Sequence, residues 1–71
     1  MKKTWDIMLD EVYDSEELKK VCDNAKSASY DDKRENIRVT GTQEKLNELS
    51  RAIKKYARIW GVILLWTFGA G

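Results

Sequence analysis

The chain has 71 residues, 13 of them basic and 12 acidic, with no histidine, no proline and a single cysteine. Without histidine there is no Ser-His-Asp or Cys-His relay and no imidazole metal ligand. With Cys22 alone there is no internal disulfide, no CxxC zinc site and no dithiol redox pair. Glycine-rich phosphate loops and acidic calcium loops are missing too. Carboxylate, lysine and tyrosine remain for acid–base work. They need an enclosing pocket to shift their pKa, and a chain this short does not easily build one. The composition therefore points away from an enzyme, with no cofactor and no metal expected.

The length fits one domain over residues 1–71. The net charge of +1 hides an asymmetry: residues 1–36 carry 7 basic and 10 acidic side chains, and residues 37–71 carry 6 and 2. Such a dipolar chain has no bulk attraction for nucleic acid or for an anionic membrane. A lone cysteine fits a reducing compartment. Asp6, Asp10 and Glu11 follow the basic start at once and leave no apolar core for a secretory signal. The expected location is cytoplasmic.

In chain order, Thr4–Asp10 alternates, with Trp5, Ile7 and Leu9 on one side, as a half-buried strand does. Asp14 and Glu17 have capping-box spacing. They predict a helix over Ser15–Asn24 with Leu18, Val21, Cys22 and Ala25 as its apolar stripe. Ala28 and Tyr30 alternate with Ser27 and Ser29, which makes Lys26–Asp31 a short edge strand, the weakest of the elements. The charged run Asp31–Glu35 is a turn. Asn36–Thr40 alternates again, with Ile37 and Val39 inward, and Thr42 caps a second helix. Leu46, Leu49, Ile53, Tyr56, Ala57 and Trp60 keep helical spacing, which predicts that this helix runs to Trp60 and stops at Gly61. Val62–Phe68, β-branched and aromatic, closes the chain as a strand.

The order β-α-β-β-α-β predicts an α+β fold of two layers, a ferredoxin-like sheet with two helices on one face. If Lys26–Asp31 is not a strand, a three-stranded β-α-β-α-β sheet remains. In outline this architecture resembles small metal-chaperone domains and ACT-type regulatory domains. The chaperones' paired cysteines are absent, since the loop after the first strand reads Glu11-Val12-Tyr13-Asp14, and no site residues carry over.

Two surfaces stand out. Spacings of three, four and seven residues put Arg51, Lys54, Lys55 and Arg58 on one helical face, opposite the apolar stripe. That face is a candidate for anions or nucleic acid, or a solvated helix back whose cations complement the helix dipole. The stretch from Ile59 onward carries no charge and is too short for a membrane helix, which needs about 20 residues. As a strand it puts Val62, Leu64, Trp66 and Phe68 on one face and Ile63 and Leu65, beside Met8, on the other. Strands apolar on both faces are usually buried on both, and one helix layer covers only one.

Three smaller features have structural explanations. Thr40-Gly41-Thr42, with Arg38 and Lys45 near in sequence, is read as a tight turn and cap rather than an anion site. Asp6 and Asp10 share a strand face too far apart for one cation. Cys22, on an apolar stripe, is read as buried and inert.

The functional expectation is a small regulatory or inhibitory protein-binding module. It associates, as a homodimer or with another protein, through its C-terminal strand and outer sheet face, with Met8, Ile63, Leu65, Trp66 and Phe68 as the interface. A nucleic-acid-binding protein using the basic helix face is one alternative. A phage or mobile-element inhibitor of a host complex is another.

Overall fold

The computed structural model describes residues 2–67, with the side chain of Thr67 left undescribed. The elements are β1 (Lys3–Val12), α1 (Ser15–Ala25), β2 (Ala28–Asp31), β3 (Asn36–Gly41), α2 (Gln43–Ile53) and β4 (Ala57–Thr67). The strands form one sheet in the order β2-β3-β1-β4, each pair antiparallel. This is the ferredoxin-like α+β arrangement in two layers, with Lys26–Asp31 contributing the short edge strand β2.

The inward residues of β1, Trp5, Ile7 and Leu9, are buried with Ile37 and Val39 of β3 beneath the two helices. Leu18 and Cys22 of α1 and Leu46, Leu49 and Ile53 of α2 close the core from above. Both helices start on a side-chain cap. The Asp14 carboxylate accepts from the Glu17 N–H and the Thr42 hydroxyl from the Lys45 N–H, each satisfying an orphan first-turn donor. Helix α1 ends on Lys26 at φ 64°, whose N–H returns to the Cys22 carbonyl, a left-handed cap that glycine more often supplies.

The second helix is shorter than its apolar period predicts. It ends at Ile53; the N–H groups of Lys54, Lys55 and Tyr56 bond to Ser50, Ala52 and Ile53 in a tightened last turn, and the chain enters β4 at Ala57. The spacing of Ile53, Tyr56, Ala57 and Trp60 fits a helix, but residues 57–60 are instead taken up by pairing with the long strand β1. Val12 lies opposite Ala57 and Glu11 opposite Arg58, and the Tyr56 carbonyl accepts from the N–H groups of Tyr13 and Asp14. Gly61, the expected helix stop, lies inside the strand opposite Met8.

Register decides which way β4 faces. Residues directly opposite in an antiparallel pair share a sheet face. Val62 and Leu64 lie opposite Ile7 and Trp5 and so face the helices, while Ile63 lies opposite Asp6 and faces outward. The pairing shifts between Thr4 and Trp5, leaving Leu65 unmatched and setting Trp66 opposite Thr4, on the outer face. Even alternation predicts Trp66 with Val62 and Leu64; the shift places it with Ile63 instead. A second shift leaves Trp60 unmatched between Gly61 and Ile59.

Candidate functional site

On its helix-facing side β4 starts under the helix layer and runs out from beneath it. Ala57 is 1% exposed, Ile59 is half-buried, Val62 is 44% exposed and Leu64 50%. The space so opened is a groove of about 550 Å³ between α2 and β4. Ile59, Trp60 and Val62 line it from the strand, and Trp5 and Leu46 from the core. Gln43, Asn47, Ser50 and Lys54 form the polar wall of α2. Spacings of four, three and four residues put those four side chains on one stripe near the helix. Among the described residues Trp60, at 63%, is the most exposed of the large apolar side chains. Neither the groove nor the exposure of Val62 and Leu64 is legible in the sequence, because both depend on how far the helix layer reaches across the sheet.

Among the described residues no element covers the outer face, yet Thr4 on it is 1% exposed. Its hydroxyl lies 3.0 Å from that of Thr40. Trp66, opposite Thr4 on β4, places its ring 5.7 Å from the Arg38 guanidinium carbon on β3. Strand β1 lies between them, so the contact spans it on the outer face. The guanidinium in turn donates two hydrogen bonds to the Asp6 carboxylate, at 3.0 and 3.3 Å. That bonding, with the adjacent negative charge, holds the Arg38 proton more firmly than usual. Trp66, Arg38, Asp6 and the threonine pair make a local cover on an otherwise bare sheet.

The expected interface residues therefore divide. Ile63 is exposed on the outer face, Met8 is half-buried there beside Gly61, and Leu65 is half-buried at the register shift. A Cβ at Gly61 would meet nothing within 4 Å, so the face is notched next to Met8. Trp66 is 45% exposed but engaged within the fold. Phe68 lies outside the described residues.

The basic face does not form as drawn from the helical period. Arg51 is in the last turn of α2, Lys54 and Lys55 are in the turn after it, and Arg58 is in β4. Arg58 reaches Asp10 at 3.1 Å, and Arg51 borders a different surface with Glu44 and Glu48. The helix ends before the stripe does, so the four cations do not share one face. Asp6 and Asp10, considered as cation ligands, each hold an arginine instead. Thr42 caps α2, and Thr40 pairs with Thr4.

Cys22 is buried, and its thiol pKa is pushed up to about 11 by that burial, with Asp23 adding to the shift. A thiolate is strongly disfavoured there, and the site is a poor nucleophile at neutral pH. Among the described residues no group of three or more acidic or thiol side chains could hold a metal ion, and no helix is long and apolar enough to cross a membrane. Comparison with known protein families, with curated proteins and with solved structures returns no match.

Proposed function

We propose that this chain acts by binding protein rather than by catalysis, and that β4 is the binding element. One observation carries this reading: an 11-residue strand at the end of the sheet leaves Val62 and Leu64 exposed on one face and Ile63 on the other. An edge strand presents unpaired backbone N–H and C=O groups, and natural proteins usually protect such edges with charge, proline or a covering element. From Ile59 to Thr67 there is no charged residue and no proline. Strand addition would supply the missing backbone partners and cover the apolar side chains in one step. A chain that binds in this way would regulate or inhibit by occupying its partner's surface.

The test compares the wild-type chain with Ile63→Asp and Leu64→Asp, both at exposed positions where the fold should survive, as circular dichroism would check. Sedimentation from micromolar to millimolar concentration reads self-association, and crosslinking in a native lysate reads association with other proteins. The reading requires at least one of these to be present in the wild type and lost in both variants. A strict monomer with no crosslinked partner, or a partner indifferent to both changes, would remove β4 as the binding element.

A further inference from the structure

We infer that the occupant of β4 is an extended, mainly apolar segment of another protein with acidic residues flanking its apolar run, added as a fifth strand at the open edge. This rests on the reading of β4 as a binding surface and adds the chemistry of the partner.

The apolar part follows from the two faces. Side chains of an added strand alternate between faces. On the helix side they would fall beside Val62 and Leu64 and into the groove walled by Trp60, Leu46 and Trp5. On the outer side they would fall beside Ile63. Both environments favour apolar residues, and the Gln43, Asn47 and Ser50 side chains along the groove offer neutral hydrogen-bonding groups to the segment's backbone or termini.

The acidic part follows from the charges that frame the edge. Among the described residues Lys54 is the one charged residue lining the groove, and Lys55 follows it in the turn before β4. At the far end Lys3 lies opposite Thr67. None of these three lysines has a carboxylate within ion-pair distance among the described residues, although Glu11 lies opposite Arg58 at the start of β4. Asp10 holds Arg58, Asp6 holds Arg38, and Glu44 and Glu48 lie on another side of α2. From Ile59 to Thr67 the edge is thus a neutral apolar strip, with Lys54 and Lys55 before its start and Lys3, on the neighbouring strand β1, beside its far end. A second copy of this chain, paired antiparallel through β4, would set the Lys54–Lys55 end of one molecule toward the Lys3 end of the other. Like charges would then be juxtaposed at both ends, an arrangement that selects against self-pairing and for an acidic partner.

The experiment titrates the full chain with synthetic peptides and follows its tryptophan fluorescence, since Trp60 and Trp66 are exposed and Trp5 is not. The probes share a core of alternating valine and isoleucine. One is flanked by glutamate at both ends and another by lysine. Two further isomers of the glutamate form carry backbone N-methyl groups on one or the other set of alternate residues. The glutamate peptide should bind about tenfold more tightly than the lysine peptide at low salt, two exposed ion pairs being enough for this. The preference should shrink in high salt, fall in Lys54→Glu and vanish when Lys54, Lys55 and Lys3 are all changed to glutamate. One N-methylated isomer should bind and the other should not, because only one edge of an added strand bonds to β4.

Equal binding of the glutamate and lysine peptides would overturn the acidic specificity and leave β4 as a binding strand. Indifference to both N-methyl patterns would overturn strand addition. No peptide binding, together with a dimer that Leu64→Asp dissociates, would make the second copy the occupant; this overturns the inference and keeps the function proposed above. No peptide binding and a strict monomer would remove that function, too, unless a crosslinked partner is lost in Leu64→Asp.

Discussion

Replacing Trp66 by alanine should cost as much stability as a core truncation, although the residue lies on a sheet face that no other described element covers. The ring is 45% exposed, so a little over half of the roughly 250 Å² that a tryptophan can bury is out of water. At about 25 cal/mol per Å² this comes to about 3 kcal/mol, an upper figure because unfolded chains already bury part of their surface, so the expected loss is about 2–3 kcal/mol. The change also removes the contact with Arg38. A chain of this length has a total stability of roughly 4–10 kcal/mol. Urea unfolding followed by far-ultraviolet circular dichroism, with a slope of about 1 kcal/mol per molar, should show the midpoint fall by about 2–3 M. Trp60→Ala, at a more exposed ring, should cost about 1 kcal/mol less. Arg38→Gln should cost less in the Trp66→Ala background than alone, since the two groups share one contact. If Trp66→Ala is no more costly than Trp60→Ala, or the Arg38 effect is the same in both backgrounds, the ring does not hold the outer face as described.

Other predictions follow from the core, the caps and the thiol. Ile53→Val should lower stability by about 1 kcal/mol in a urea melt, the usual cost of a methylene lost from a fully buried site. Asp14→Ala and Thr42→Ala each remove a first-turn acceptor and should cost about 1 kcal/mol, with nearly additive effects in the double variant because the caps serve different helices. Cys22 should label slowly with a thiol reagent at neutral pH in the native chain and rapidly in denaturant. The folded thiol titrates at about 11 against an ordinary 9.0. The unfolded state therefore loses its proton first, and the stability this group contributes is full below pH 9 and falls between 9 and 11. A wild-type chain that weakens no faster than Cys22→Ala across that window would contradict this account.

Much of the fold is legible in the residues because the signals are local. The alternation of Trp5, Ile7 and Leu9, the caps at Asp14 and Thr42 and the charged turn from Asp31 all appear where the chain predicts them. The boundary between α2 and β4 is not legible. Ile53, Tyr56, Ala57 and Trp60 suit a helix, while Ala57 and Ile59 also suit a strand. The choice is made by β1, more than forty residues earlier in the chain, whose edge receives them. The same long-range pairing hides the ion pairs. Nothing near Asp10 in sequence points to Arg58, and nothing near Asp6 points to Arg38. The candidate surface was legible in part: the uncharged run marks β4, but its faces are set by register shifts that have no period of their own.

Those shifts have a further consequence. Between them β4 keeps regular pairing with β1 only over residues 61–64, opposite Met8 to Trp5. Cross-β stacking asks for about six or seven straight residues in line. A strand bent at Trp60 and again at Leu65 is a poor template for that, because bulges twist an edge away from flat growth. An apolar edge built in this way would interrupt an endless ladder of copies, and on the proposed function would still leave room for one short guest. In this chain kinked geometry would do the work that charge and proline do on other edges.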